Sequence, residues 1–226
     1  MPVIVSVNPK GGVGKSTSSL LLATALANMG LQVSLIDADP NQPIKKWREG
    51  NSKTTVKIIS DGKEENIVDL IDEENTSKRK FVFVDTEGAR SMLSQTAMSL
   101  ADLVLIPMQP SAIEADQVAV LVKLMNTQQR ISRRRIPFKI LFNRTGYIPT
   151  RMEKRIRKSL EDANIEIFKI DLSERISFKS IFEDQLTLYE LDKERVTGVD
   201  KAIENVKYII DELIDSVTEQ QIKEAI

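Results

Sequence analysis

Five short apolar runs punctuate the chain, and stretches with helical spacing lie between them. The runs cover residues 3–7, 33–36, 81–84, 103–107 and 138–142. Alternation of short apolar strands with helices is typical of parallel sheets that are buried under helices on both faces. The 226 residues show no linker-like composition, so we expect one α/β domain over residues 1–226. We predict a doubly wound, mostly parallel sheet flanked by helices.

The tail, residues 198–226, predicts a helix packed on this sheet. Its apolar residues recur at helical spacing from Val199 to Val217, and acidic residues occupy the other faces. A helix lying on a membrane surface needs a basic polar face, so the acidic tail disfavours a membrane role. No stretch reaches the length of a membrane span and no basic leader precedes the first apolar run. We therefore expect a cytoplasmic protein that is neither exported nor inserted in a membrane.

The composition excludes several kinds of site. Cysteine and histidine are both absent. Disulfides, the common zinc sites and histidine-based catalytic triads are therefore excluded. Any catalysis must therefore depend on other side chains, such as those of lysine and aspartate.

The loop at residues 8–17 reads Asn-Pro-Lys-Gly-Gly-Val-Gly-Lys-Ser-Thr, between the first apolar run and a helix-like stretch that ends before Gly30. Pro9 stands where the ordinary phosphate loop begins with glycine. The three remaining glycines still let several backbone N–H groups point at one anion, and the following helix adds its positive end. The segment predicts a nucleotide phosphate site, with a plain glycine-rich turn as the alternative.

The polar side chains of this loop have separate predicted tasks. Lys15 can reach the β and γ phosphates, the Ser16 hydroxyl can bind Mg²⁺, and Thr17 is then free for the α-phosphate. Lys10 is a second lysine at the start of the loop. Its task is less obvious, because Lys15 already serves the phosphate site.

Acidic residues follow two of the apolar runs. Asp37 and Asp39 come after the second run, and Asp85 follows the third. Open α/β sheets bind ligands beyond the carboxyl ends of their strands, so these carboxylates predict a ligand crevice there. Asp85 also fits the strand-terminal acid that holds Mg²⁺ in P-loop enzymes. A polar turn that caps the next helix is a competing interpretation of Asp39, and a strand that ends in aspartate by chance is one for Asp85.

Basic residues are concentrated between Lys123 and Lys158, where twelve lysines and arginines accompany a single acid, Glu153. The helix-like stretch 150–163 places four of them on one face, which suits a phosphate backbone. A solvated basic helix is the simpler alternative, but a three-arginine cluster adds to this stripe. The predicted DNA-binding residues here are Arg133, Arg134, Arg135, Arg151, Lys154, Arg155 and Lys158.

The phosphate loop resembles the deviant Walker A loop of the ParA/MinD family of P-loop ATPases. The segment 37–42, Asp-Ala-Asp-Pro-Asn-Gln, is similar to the family's Asp-x-Asp-Pro-Gln motif. The resemblance implies a P-loop NTPase fold and a homodimer formed on ATP binding, in which Lys10 reaches the partner's nucleotide. It implies that Asp39 positions the attacking water, that Asp37 supports the Mg²⁺ shell and the loop, and that Asp85 holds Mg²⁺ through a water.

The resemblance also assigns roles near the last apolar run. An asparagine at position 143 would read the adenine edge, although asparagine also favours turns there. Segment 172–179 resembles the region where ParA proteins contact DNA, which adds Arg175 and Lys179. The family usually continues from the third-strand aspartate into a proline-containing turn, whereas this chain reads Thr-Glu-Gly-Ala at 86–89. The implied nucleotide-binding residues are Lys10, Gly11, Gly12, Val13, Gly14, Lys15, Ser16, Thr17, Asn143 and Arg144.

The implied function is a slow ATPase, stimulated by a partner and by DNA, that binds double-stranded DNA without sequence preference and partitions a plasmid or chromosome. Its partner would be a centromere-binding adaptor, and the ATP-bound form would associate with the nucleoid. Segment 37–49 also resembles VirC-type relatives, which would assist DNA transfer with a transfer-complex protein. A MinD-like membrane ATPase, a metabolic kinase and a nucleotide-binding scaffold without turnover remain as alternatives from other classes.

Overall fold

A computed structural model of the protein describes residues 2–74 and 80–224. Within these ranges the chain alternates between strands and helices. The strands are β1 Val3–Ser6, β2 Gln32–Ala38, β3 Lys57–Ile59, β4 Lys80–Thr86, β5 Leu103–Met108, β6 Phe138–Thr145 and β7 Leu172–Ser173. The helices are α1 Lys15–Asn28, α2 Pro43–Arg48, α3 Ile67–Glu74, α4 Met92–Leu100, α5 Ala112–Ser132, α6 Arg151–Asp162, α7 Ile176–Glu183 and α8 Val199–Glu224.

The described strands form one sheet with the order β3-β2-β4-β1-β5-β6-β7. Every pairing between these strands is parallel, which confirms the predicted doubly wound sheet. Each of the five apolar runs lies in one of the five inner strands. The two outermost strands, β3 and β7, were not predicted, because they are only three and two residues long.

Helices cover both faces of the sheet and bury two separate apolar cores. Helices α1, α2, α7 and α8 pack on one face, where Trp47 is fully buried. Its indole Nε1 donates to the Ile181 carbonyl at 2.8 Å and so joins α2 to α7. Helices α3 to α6 pack on the other face. The carboxyl ends of the parallel strands consequently meet along one edge of the sheet.

Helix α8 packs its apolar stripe against α1 and β7. Val206, Ile209 and Leu213 are fully buried in the same core as α1. Among the helices in the described ranges, none has the length and apolarity that crossing a membrane requires.

Candidate functional site

The loop between β1 and α1 forms the floor of a cleft of about 580 Å³ at the carboxyl edge of the sheet. Gly12 and Gly14 have φ angles of 75° and 102°, a region that side chains strain to enter. A Cβ atom on Gly14 would also lie 2.5 Å from Nδ2 of Asn143. The N-terminus of α1 begins directly after Gly14, so its free N–H groups face the cleft. The loop therefore has the geometry of an anion cradle.

Asn143, at the end of β6, braces this loop. Its Nδ2 atom donates to the carbonyl of Val13 at 3.0 Å and to Oγ of Ser18 at 3.1 Å. Its Oδ1 atom is buried and finds no hydrogen-bond partner within the described part of the chain. The predicted adenine contact of Asn143 can therefore use only Oδ1, because its amide group is already bonded to the loop, and that contact stays a prediction.

Arg144 joins the cleft to a second cavity of about 310 Å³. It is exposed, and its φ of 53° lies at an irregularity between Asn143 and Thr145, where β6 pairs with β7. The second cavity is bounded by Gly14 and Thr17 of the phosphate loop and by Phe178 and Phe182 of α7. A partly apolar cavity of this size suits a flat group attached to a phosphate chain in the first cleft. That Arg144 binds the nucleotide stays a prediction.

Lys15 is buried at the base of the cleft. Its Nζ atom donates to the carbonyl of Lys10 at 3.3 Å. Burial lowers the pKa of Lys15, while the nearby carboxylates of Asp85 and Asp39 act to raise it. Ser16 and Thr17 also line the cleft. These three side chains therefore lie around one cleft, and their roles toward phosphate and Mg²⁺ stay predictions.

Asp85 lies at the end of β4 and is fully buried. Burial raises its pKa to about 7, and a hydrogen bond from Ser16 opposes that rise. Ser19 Oγ donates a long 3.5 Å bond to Oδ1, whereas Oδ2 has no partner among residues 2–74 and 80–224. A buried carboxylate that lacks a full set of partners beside a serine hydroxyl fits a hard cation such as Mg²⁺. Ser16 and Asp85 would hold that ion, which would neutralise phosphate charge when bound.

We expect Asp85→Asn to stabilise the nucleotide-free protein by about 1–3 kcal/mol, because it removes a buried and incompletely paired carboxylate. The same change should lower the Mg²⁺-dependent gain in nucleotide affinity by at least about tenfold. Thermal denaturation with ADP, with and without Mg²⁺, measures both effects. Asp215→Asn, at an exposed position of α8, is the control. A destabilised Asp85→Asn protein that keeps its Mg²⁺ dependence would contradict the assignment.

Asp37 lies beside Asp85, since the two are paired residues of β2 and β4. Its Oδ2 atom accepts bonds from the backbone N–H groups of Ile44 and Lys45, both at 2.9 Å. Burial raises the pKa of Asp37, and these N–H groups act in the opposite direction. Asp37 thus fixes the N-terminus of α2, and its predicted support of the phosphate loop stays a prediction. Its predicted part in the Mg²⁺ shell stays a prediction.

Asp39 is partly exposed and lines the cleft. Its Oδ1 atom accepts bonds from the backbone N–H of Asn41 at 2.8 Å and from the Asn41 side chain at 3.0 Å. The short turn therefore holds the Asp39 carboxylate at the mouth of the cleft, where it could orient a water molecule.

Lys10 does not point to its own phosphate site. Its Nζ atom forms a 2.9 Å ion pair with Oε1 of Glu114 in the first turn of α5. Its backbone N–H donates to Oδ1 of Asn8, which is buried and whose Nδ2 donates to the carbonyl of Pro107. Sequence reasoning gave no role to Asn8 or Glu114. The Ser111–Glu114 spacing is a helix-capping signal, but nothing in the sequence indicated that Glu114 pairs with Lys10.

The predicted DNA-binding residues fall in three places. Arg151, Lys154, Arg155 and Lys158 are all exposed on α6. The cluster of three arginines follows α5, and Arg135 shares a shallow pocket with the residues after α6. Arg134 is engaged within the fold, since it donates to the Ser99 carbonyl at 2.7 Å and lies 3.7 Å from Asp102.

The other two basic candidates, Arg175 and Lys179, line the second cavity beside the phosphate loop. Lys179 also pairs with Glu174 at 3.0 Å. These two residues lie beside the phosphate loop at or near α7, whereas the basic stripe belongs to α6, which packs on the other face of the sheet. A single DNA-binding surface would have to include both the Arg175–Lys179 pair and the stripe on α6.

Three comparisons bear on this site. A family model, the CobQ/CobB/MinD/ParA nucleotide binding domain, matches residues 4–188. Protein ParA of Rhizobium radiobacter is 32% identical over 221 residues, which cover 97% of this chain and 99% of that protein. Protein virC1 of the same organism is 25% identical over 190 residues, 81% of each chain.

Solved structures share the fold. A putative plasmid partition protein from Borrelia burgdorferi B31, bound to AMPPNP, matches with a TM-score of 0.69 at 18% identity. The match covers 93% of this chain and 99% of that one. At such identity the likeness shows the fold alone, the P-loop NTPase fold of ParA and MinD structures.

Proposed function

We propose that this chain, which belongs to the CobQ/CobB/MinD/ParA nucleotide-binding family, is an ATP-timed DNA-binding switch that partitions plasmid or chromosomal DNA. ParA and MinD proteins are ATPases, and the cleft above the phosphate loop is the ATP site. ATP would control when two copies close on each other, and hydrolysis would reopen them.

The observation that supports the proposal most directly is that the two lysines of the phosphate loop lie in different environments. Lys15 is buried at the base of the cleft, whereas the Lys10 side chain is 43% exposed and directed away from it. A lysine at the rim can neutralise phosphates only if another molecule brings them within reach. A second copy of the chain, docked cleft to cleft, would do so reciprocally. Half of each active site would then come from the partner.

The basic stripe on α6 supports DNA as the second ligand. Helix α6 has twelve residues and is about 18 Å long. Its exposed basic residues are Arg151, Lys154, Arg155 and Lys158. Pairing two such stripes in one dimer would double the number of phosphate contacts, so ATP-dependent closure would raise DNA affinity steeply. The dimer would therefore coat the nucleoid while it holds ATP and leave it after hydrolysis.

The similarity to known proteins favours DNA partition over DNA transfer as the function. ParA of Rhizobium radiobacter matches nearly the whole chain, with higher identity than virC1 of the same organism. A centromere-binding adaptor would then stimulate hydrolysis. The virC1 match supports the second candidate, an accessory ATPase for DNA transfer that would be recruited by a transfer-complex protein. A membrane role like that of MinD has less support, because α8 buries its apolar stripe against the fold.

We expect Asp39→Ala to reduce phosphate release by about 10²-fold, because the water that attacks the γ phosphate loses its orienting base. ATP-dependent DNA retention should persist and outlast that of the parent. Phosphate release and a filter-retention assay on the same samples measure the two effects. Asp215→Ala, at an exposed carboxylate of α8, is the matched control. Unchanged phosphate release in Asp39→Ala would support the scaffold without turnover instead.

A further inference from the structure

Glu114 is a buried carboxylate whose only side-chain cation in the described structure is Lys10. The Glu114 side chain is 1% exposed, and it sits in the first turn of the long helix α5. Its Oε1 atom accepts from Lys10 Nζ at 2.9 Å, and its Oε2 atom accepts from the backbone N–H of Gln109 at 2.5 Å. The two bonds fix the carboxylate in one orientation toward the start of the phosphate loop.

The backbone around Lys10 is fixed as well. Asn8 accepts from the Lys10 N–H at 2.8 Å and donates to the Pro107 carbonyl at 2.8 Å, which ties the loop to β5. Lys15 donates to the Lys10 carbonyl from the other side. The Lys10 backbone is thus fixed, and Glu114 holds its ammonium at 2.9 Å on the side of α5. An anionic acceptor on another molecule has to compete with this carboxylate for the ammonium.

We propose that Glu114 is a positioning residue that holds Lys10 within its own subunit, so that closure of the dimer has to break this ion pair. The inference rests on the proposed function, because it takes the partner's phosphates to be the other acceptor of Lys10. Breaking the pair leaves a buried carboxylate with one backbone N–H and the positive end of α5. Only a strongly anionic acceptor, such as a triphosphate, compensates for that loss.

The ion pair between Lys10 and Glu114 makes closure of the dimer depend on nucleotide in the partner. Without a nucleotide in the partner, Lys10 remains on Glu114 and two clefts that meet gain no cross-subunit contact. With ATP in the partner, the triphosphate competes for the ammonium. The ion pair therefore disfavours dimers of the nucleotide-free protein without contributing to the chemistry of hydrolysis.

Glu114→Gln tests the inference, because glutamine keeps an oxygen for the Gln109 N–H and removes the charge that holds Lys10. We expect its dimer with AMPPNP and Mg²⁺ to dissociate at about 10- to 100-fold lower protein concentration than the parent dimer, measured by analytical ultracentrifugation. In a Lys10→Ala background the same substitution should leave dimerisation unchanged. A general structural effect of Glu114 would persist in that background.

Glu212→Gln is the matched control. Glu212 also pairs with a lysine, Lys139, at 2.5 Å and accepts a backbone N–H, that of Lys169, on its other oxygen, in another part of the fold. We expect this variant to dimerise like the parent. If Glu114→Gln forms dimers no tighter than the parent, or weaker ones, the inference is wrong.

A second measurement needs neither dimerisation nor a stable variant. In the nucleotide-free parent, acetylation of lysines followed by mass spectrometry should modify Lys10 several times more slowly than exposed Lys63. Equal rates would overturn the inference, whatever Glu114→Gln does. If instead the parent fails to dimerise with AMPPNP while Lys10 is protected, the proposed function fails and the ion pair stands.

Discussion

Lys10→Ala is expected to weaken ATP-dependent dimerisation by about 10³-fold, because it removes a cation that would be buried between two nucleotides and leaves their phosphates facing each other. ATP binding to the single subunit should stay within about threefold of the parent, since Lys15 and the backbone of the loop remain. Light scattering with AMPPNP and titration with a fluorescent ATP analogue separate the two properties. Lys63→Ala, at an exposed position far along the chain, serves as control.

The ion pair with Glu114 predicts a second effect of Lys10→Ala, on the stability of the fold. Lys10→Ala leaves Glu114 buried without its cation, so the variant should also be less stable than the parent. Adding Glu114→Gln should restore stability and leave dimerisation lost. A Lys10→Ala protein that dimerises on ATP like the parent would refute the cross-subunit role.

The second large effect concerns DNA. Reversing the charge of Arg151, Lys154, Arg155 and Lys158 together should lower ATP-dependent DNA affinity by about 10³-fold at 100 mM salt. The parent should lose affinity steeply between 50 and 200 mM salt, and the variant should show a slope reduced by about four charges per subunit. Fluorescence anisotropy with two unrelated duplexes measures the affinity, its salt slope and the lack of sequence preference.

A variant with equal change in net charge controls for bulk electrostatics. It reverses four exposed lysines elsewhere, namely Lys63, Lys169, Lys201 and Lys207. This variant should bind DNA within about threefold of the parent. If both variants lose affinity equally, the basic stripe is not the binding surface. If the parent shows no salt dependence, contact with the phosphate backbone is wrong altogether.

The structure also separates Arg175 and Lys179 from this stripe, so their reversal is an independent measurement. Both line the cavity beside the phosphate loop. Loss of nucleotide binding in that variant would assign them to the ATP site, and loss of DNA binding alone would support the assignment made from family resemblance.

The sequence predicted the sheet and its acidic edge for a physical reason. Parallel strands covered on both faces must be apolar along their length, so the first acid marks the end of the strand. Asp37 and Asp85 follow this rule and lie side by side in β2 and β4. The glycine loop was recognisable because its φ angles leave few alternatives to glycine.

The remaining parts of the site depend on contacts between distant segments. Glu114 and Asn8 are ordinary polar residues in the sequence, and their roles come from partners about a hundred positions away. Arg134 looks like any member of a basic cluster until the fold places the Ser99 carbonyl beside it. Short strands at the edges of a sheet, such as β3 and β7, carry too few residues for a periodic pattern.

The close approach of Gly14 to Asn143 limits how this sequence can diverge. Any larger residue at position 14 would collide with the Asn143 amide, and any residue at position 143 without that amide would release the phosphate loop. The residue present at either position therefore limits which substitutions the other tolerates, although the two are far apart in the sequence. We expect these two positions to diverge together or not at all.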